Sequence, residues 1–378
     1  MTRRLPALAL AVTALFGGVS TGTSPAATGL PPIKHVFVIV LENKDYDVTF
    51  GPNSPAPYLA KTLTSKGQLL EQYYGIGHFS LDNYIAMLSG QAPNIQTQSD
   101  CQIFTEFLPG VPGPNGQSIG QGCVYPTGVK TLANQLSAKG LTWKGFMEDM
   151  GTPCRHPDLN TQDTTQSAKA NDQYAARHNP FVYFHSIIDS PACAQNVVDL
   201  SHLTTDLARV ATTPNFSFVT PDLCSDAHDA PCVDGRPGGL VSANAFLKTW
   251  VTRILAAPAF KKDGLLIVNF DEAETGGGAE ACCGEQPGPN SPLPGQTGPG
   301  GGRTGAVVLS PFVKAGSKNA TPYNHYSLLR SMEDLFGLEH LGFAGQDGLK
   351  AFGADVFAVR PSNGATTSAT TLPETAAR

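Results

Sequence analysis

Two apolar runs that break off abruptly at acids dominate the hydrophobic pattern of the chain. Residues 33–41 read IKHVFVIVL and are followed at once by Glu42 and Asn43; residues 264–270 read GLLIVNF and are followed by Asp271 and Glu272. A run of β-branched and aromatic residues with little polar alternation is what a strand buried on both faces requires, so each run is expected inside a parallel sheet. Each polar pair then lies at the carboxyl end of a strand. Open α/β sheets bind their ligands there, and both pairs are expected to face one crevice. Residues 68–74 (QLLEQYY) predict a further strand, and the glycine-bearing segment 75–80 (GIGHFS) a turn into a helix over 82–88. A second helical pattern covers 326–335.

The ends of the chain read differently. Arg3 and Arg4, the apolar stretch 5–19 and the small residues through Ala26 and Ala27 describe a signal peptide over 1–27. That stretch is too short and too poorly flanked to span a bilayer, and no other run approaches the ~20 apolar residues a span needs. A secreted, extracellular protein with no stable membrane insertion is expected. Residues 28–359 read as one α/β domain, the Gly/Pro-rich segment 284–302 as a surface loop near the site, and the Ser/Thr/Ala/Pro-rich 360–378 as a disordered tail. Eight cysteines in an exported chain favour disulfides over a thiolate metal site. Proximity suggests Cys101 with Cys123, Cys154 with Cys193 and Cys224 with Cys232, leaving the neighbours Cys282 and Cys283. The net charge of -6 and the scattered basic residues exclude a polyanion-binding surface, so no nucleic-acid partner is expected.

The candidate chemistry follows from the residue types. Glu42, Asn43, Asp271 and Glu272 offer only oxygen ligands, which suit Mg²⁺, Ca²⁺ or Mn²⁺ better than a soft metal. Ser80, at a strand-to-helix turn, would present its hydroxyl beside the backbone N–H groups of a helix start, a setting that favours bound phosphate. Capping that helix is the ordinary role of such a serine, and both readings stay open. His228 and His325 lie in polar clusters and suit hydrogen bonding to a phosphate or protonation of a leaving oxygen. His325 equally suits the start of the second helix. His78, two residues before Ser80, is a candidate third phosphate contact. Asp226 and Asp229 read as turn residues beside a disulfide, and His35, His156, His178, His185, His202 and His340 as surface or structural.

Six blocks taken in order resemble a known family. They are Glu42-Asn43-Lys44-Asp45-Tyr46-Asp47 with Phe50-Gly51; Gly77-His78-Phe79-Ser80-Leu81-Asp82-Asn83-Tyr84 with Ser89-Gly90-Gln91; the segment from Pro221 to Asp229; Phe270-Asp271-Glu272; Ser310-Pro311-Phe312-Val313; and His325-Tyr326-Ser327-Leu328-Leu329-Arg330 with Glu333-Asp334. Together they are similar to the phosphoesterase family that contains bacterial and fungal acid phosphatases and phospholipases C. The resemblance implies an alkaline-phosphatase-like α/β fold, a three-layer α/β/α sandwich with a mostly parallel central sheet. It implies Ser80 as nucleophile through a phosphoseryl intermediate, and Glu42, Asn43, Ser80, Asp271 and Glu272 around a divalent metal. The run from Ser80 to Asn83 also resembles the Thr-x-Pro-Asn turn of related nucleotide pyrophosphatases, which puts Asn83 beside the substrate; Asp82 stands where that turn has proline, and Phe79 where a proline is common in the acid phosphatases.

The expected activity is hydrolysis of a small phosphate monoester. A phospholipase C or other phosphodiesterase acting on a phospholipid headgroup is the alternative, and a wide apolar cleft beside Ser80 would favour it over a small polar pocket. A non-catalytic extracellular binding protein that kept the fold is the reading of another class, and the intact Ser80, Glu42, Asn43 and Asp271 argue against it.

Overall fold

Strand β1 (His35–Leu41) is buried along its whole length, and its side chains alternate between two apolar cores. Val36, Val38 and Val40 pack into one cluster, Phe37, Ile39 and Leu41 into the other. A strand can do this only at the centre of a sheet covered on both faces. The computed structural model describes residues 29–274, 280–295 and 298–358; the segments read as signal peptide and tail lie outside the described residues.

The other strands of the sheet are β2 (Gln68–Leu70), β3 (Trp143–Met147), β4 (Val197–Asp199), β5 (Phe216–Thr220), β6 (Gly264–Phe270), β7 (Ala306–Leu309) and β8 (Ser317–Asn319). Their order is β8-β2-β7-β6-β1-β5-β3-β4. All neighbours are parallel except β7, which runs antiparallel to β2 and β6. Helices α1 (Ser80–Ser89), α2 (Leu132–Ala138) and α4 (His325–Phe336) cover one face, and α3 (Gly239–Ala256) covers the other, giving the three expected layers. Truncating a β1 side chain such as Phe37 to Ala would remove transfer energy and leave a cavity, at a cost of about 3–5 kcal/mol.

The strand expected over 68–74 splits. Glu71 and Gln72 turn the chain, and Tyr73 and Tyr74 pair in parallel with Tyr323 and Asn324 instead of continuing β2. Helix α1 is buried at every position from Ser80 to Ser89, as befits a helix enclosed by the fold. It ends at Gly90, whose φ of 67° is left-handed and costs a glycine little.

The three proximity pairs form disulfides, Cys101–Cys123, Cys154–Cys193 and Cys224–Cys232, and Cys282 is joined to its neighbour Cys283. Among the described residues no helix is long and apolar enough to cross a membrane.

Candidate active site

The two acid pairs meet because β1 and β6 are adjacent and in register, with Leu41 opposite Phe270. Asn43 takes a left-handed turn (φ 42°), which asparagine tolerates better than most residues. The turn lets its backbone N–H donate to Asp271 Oδ1 at 3.0 Å and its Nδ2 to Glu272 Oε1 at 2.8 Å. The N–H of Glu272 donates to the same Asp271 oxygen at 2.7 Å.

Ser80 is the first residue of α1, and Phe79 occupies the cap position. The hydroxyl of Ser80 makes no capping bond; its Oγ donates to Glu42 Oε2 at 2.7 Å. One turn along, the Tyr84 hydroxyl donates to the other oxygen of Glu42. The capping reading is therefore replaced. The helix start is also less open to an anion than expected, because the N–H of Leu81 already donates to Asp100 Oδ1 at 3.0 Å.

The Ser80 hydroxyl opens on a pocket of about 170 Å³ lined by Glu42, Asn43, Phe79, Ser80, Asp100, Arg177, His228 and Glu272. The Arg177 Nε lies 3.6 Å from Asp100 Oδ2. Burial pushes Asp100 up to about 6 against the pull of that guanidinium. Exposed His228 places Nδ1 2.9 Å from Asp229 Oδ1, and this hydrogen bond raises the imidazole pKa.

Behind Glu42 the ring of His178 is fully buried, with Nε2 3.3 Å from Glu42 Oε2 and Nδ1 3.7 Å from Asp226 Oδ2. It stacks on the Tyr84 ring at 5.4 Å. Burial, then Arg177 and His228, hold it far below the usual imidazole range, so it is neutral. His178 and Asp226, read from sequence as a structural histidine and a turn residue, thus lie behind the carboxylate that receives the Ser80 hydrogen bond, with neither ring nitrogen completing a hydrogen bond of its own.

Three expected site residues are placed differently from the reading above. His325 is fully buried, with Nε2 2.5 Å from the backbone oxygen of Asp271 and Nδ1 3.0 Å from the Tyr73 hydroxyl. Burial lowers its pKa to about 4. A buried neutral ring with both nitrogens engaged is a poor proton donor, so its place is behind Asp271. His78 is turned onto Glu272 Oε2 and away from the pocket lining. Asn83 spends its whole amide on the turn before Ser80: Oδ1 accepts from the N–H groups of Ile76 (2.8 Å) and Gly77 (3.2 Å), and Nδ2 donates to the carbonyls of Gly77 and Phe79, both at 3.0 Å. It holds the turn and has no group left for a substrate. The loop read as lying near the site does so, with His78 N–H donating to Pro294 O at 3.4 Å and Gly301 N–H to Gly75 O at 3.1 Å.

Charge and hydrogen bonding show that these residues fit a hard cation. Asn43 Oδ1 and Asp271 Oδ2 are buried and meet no donor. Burial first, then the carboxylates of Glu42 and Glu272, push Asp271 well above the usual carboxyl range, and burial lifts Glu272 to about 7 with His78 pulling it back. Orphaned oxygens among crowded carboxylates fit a hard cation. The set is open: among the described residues, the one trio of His, Cys, Asp or Glu ligand atoms within 4.8 Å of one another is Cys224, Cys232 and Asp234, and two of those are tied in a disulfide. Glu272 is held by Asn43 and His78, while Asp271 lies against Glu42.

Fold and site together define an α/β/α protein with a carboxylate-bound serine and an oxygen-donor cluster at the carboxyl edge of its sheet. A family model described as Phosphoesterase family matches residues 53–339, and the chain belongs to that family. It is similar to a phosphate-repressible acid phosphatase of Penicillium chrysogenum, 27% identical over 84% of this chain and 64% of the relative. It is also similar to an acid phosphatase of Aspergillus fumigatus, 26% identical over 81% of this chain and 55% of the relative. The chain thus spans little more than half the length of the fungal relatives it matches. A phosphatidylinositol-3-phosphatase of Mycobacterium tuberculosis is 25% identical over 89% of this chain and 88% of the relative. Among solved structures, a Vibrio parahaemolyticus protein of the alkaline phosphatase superfamily aligns over 85% of this chain and 71% of its own, with a TM-score of 0.51 at 12% identity, and shares the fold.

Proposed function

We propose that the protein is a secreted hydrolase of phosphate monoesters, working through a phosphoseryl intermediate with the help of a divalent cation. The observation that carries this reading is the 2.7 Å bond from Ser80 Oγ to Glu42 Oε2 at the wall of a small pocket that also holds Arg177 and His228. A pocket of about 170 Å³ with charged walls suits a compact dianionic group better than a diester flanked by two bulky substituents. Four disulfides support an oxidising compartment.

In this reading Arg177 binds the phosphoryl oxygens through its planar fork of donors. Ser80 Oγ attacks phosphorus as its proton passes to Glu42 Oε2, and the ester P–O bond breaks as His228 gives its proton to the departing oxygen. In the second half a water loses a proton to His228 and attacks the phosphoserine, and Ser80 Oγ leaves as it regains its proton from Glu42. A divalent cation held by Glu42, Asn43, Asp271 and Glu272 would polarise the hydroxyl and offset charge on the phosphoryl group. Tyr84 keeps Glu42 aimed at Ser80 with the His178 ring packed behind it, and His325 and Tyr73 fix the Asp271 backbone.

The test compares p-nitrophenyl phosphate with p-nitrophenylphosphocholine, with and without a chelator. Monoester hydrolysis that stops on chelation and returns with a divalent ion is expected. Preference for the diester, or full activity in a preparation shown to be metal-free by elemental analysis, overturns the respective half of the proposal.

A further inference from the structure

Three long stretches of the chain carry no Asp, Glu, Lys, Arg or His, namely 83–99, 107–129 and 286–302. In a chain with 56 charged residues (25 basic plus 31 acidic) such runs are conspicuous, and the fold brings them together. The middle stretch forms a small antiparallel hairpin, residues 108–112 against 118–121, with Leu108 opposite Gln121 and Val111 opposite Ile119. Opposed residues point to the same side, and Ile119 and Gln121 are two apart, so all four share one face. Gln121 ties that face to the other stretches: its Oε1 accepts from the N–H of Ile95 at 3.0 Å, and its Nε2 donates to Asn290 O at 2.8 Å. The segment 290–294 then reaches the catalytic turn, because Gln98 donates to the carbonyls of Leu293 and Pro294 at 2.6 and 2.7 Å and Pro294 O accepts from His78.

The side chains this framework displays are aliphatic and open to water. Leu108 and Ile95 are 65% and 63% exposed, Leu293 is half exposed, and Val111 and Ile119 follow; Phe79, on the pocket wall, continues the series at 40%. Isolated exposed apolar residues need no explanation, but a cluster on an uncharged surface that ends at a phosphate-sized pocket does. Two features identify the occupant. The cluster lacks the Trp, Tyr and Arg anchors on which protein interfaces concentrate their energy. The three stretches themselves carry no charge, so they can enter the headgroup layer without stripping water from an ion, and Lys130 and His340, which share a cavity with Gly110 and Pro112 of the hairpin, mark the edge of the uncharged area.

We propose that this face docks on a phospholipid membrane surface by shallow insertion of the hairpin and its neighbours. The absence of basic residues from the three stretches makes the attachment mainly apolar, so it needs no anionic lipid and weakens little with salt, unlike a polybasic contact. Given the phosphoesterase reading, docking holds the Ser80 pocket at headgroup level, and the substrates reached are phosphate esters carried by the bilayer.

Docking is tested separately from catalysis, by cosedimentation of the full chain with phosphatidylcholine vesicles at low and high salt. The wild type is expected to cosediment at both. Leu108→Ser combined with Ile119→Ser should weaken partitioning about tenfold or more, since binding scales with the apolar area inserted. Val233→Ser combined with Val241→Ser removes exposed valines outside the three uncharged stretches and should leave partitioning intact. Circular dichroism and turnover of p-nitrophenyl phosphate check that each variant is folded. Failure of the wild type to cosediment overturns the proposal, as does equal partitioning of the hairpin variant. Light scattering that shows a wild-type dimer split by the hairpin substitutions would assign the face to a second copy of the chain instead. Absence of phosphatase activity counts against the reading of Ser80 and leaves the vesicle result to be judged alone.

Discussion

Two acidic clusters sit at the carboxyl edge of the same sheet, and they are built to opposite rules. Beyond β3, β4 and β5 the acids Glu148, Asp149, Asp199 and Asp222 line an open pocket, yet each has donors. Asp222 Oδ1 accepts from the N–H groups of Cys224 (3.1 Å) and Ser225 (2.7 Å), and Oδ2 pairs with Arg236 at 3.3 Å. Glu148 Oε2 accepts from Asp222 N–H at 3.0 Å, Asp149 from Gln173 N–H at 2.6 Å, and Asp199 from Ser201 and Gly151. Beyond β1 and β6 the acids are more deeply buried, and Asn43 Oδ1 and Asp271 Oδ2 are left with nothing. Satisfied carboxylates tie loops down. Unsatisfied ones beside a nucleophile hold free energy that a ligand can release, which is a physical reason to separate a site from scaffold where counting acids would not.

The contrast can be broken most severely at Ser80. Ser80→Ala should lower kcat by about three orders of magnitude or more while the protein still melts cooperatively; near-normal turnover would falsify its role as nucleophile. Next comes an exchange between the clusters. Asp271→Asn should lower kcat about a hundredfold or more and, in chelator, raise the melting temperature at neutral pH by relieving a buried carboxylate. Asp222→Ala should do the reverse, with a stability loss of about 1–3 kcal/mol and a far smaller fall in kcat. If the two variants behave alike in kinetics and melting, the distinction drawn between the clusters is wrong.

His228 sharpens the same comparison through pH. Its pKa is raised from 6.5 by Asp229, so the proton-donating form persists to higher pH, and kcat/KM should fall as pH rises past that point. His228→Ala should abolish this limb and cost about a hundredfold on an alkyl phosphate, less on p-nitrophenyl phosphate, whose leaving oxygen needs little protonation. Equal losses on both substrates would leave His228 as a phosphate contact only.

The smallest expected effect lies away from both clusters, in α4. Burial raises Glu333 from 4.5 to about 9, and one of its oxygens has no donor. A raised folded pKa means that its stabilising contribution is complete below about 4.5 and is lost as pH climbs toward 9. Glu333→Gln should therefore melt about 2 °C or more above wild type at pH near 8, with the gap closing near pH 4.5. An unchanged gap across that range would mean the group ionises as freely in the native state as in the unfolded one.

What was legible in the sequence follows from the same physics. A strand enclosed on both faces must be apolar throughout, so β1 and β6 announced themselves, and with them the acid pairs that end them. Arg177, His178 and Asp100 were not legible as site residues. They come from short turns with no period to place them, and only the packing of that region against α1 carries them to Glu42. Tyr84 hid differently, since in a helix buried on nearly every side a tyrosine reads as core, and its hydroxyl finds Glu42 only once α1 is docked. His325 misled because its polar neighbours suggested water nearby, whereas the fold closes over it completely.

The amide of Asn83 fastens the turn before Ser80 with four hydrogen bonds from inside the helix that the turn introduces. Nucleophile, turn and clamp therefore form one self-locking element, and ordering the hydroxyl for attack is completed during folding, with no further entropy lost when substrate arrives. In hydrogen exchange, the Ile76 and Gly77 amides should open only together with α1, on the slow timescale of the core, although they lie a few residues from the pocket beside Ser80.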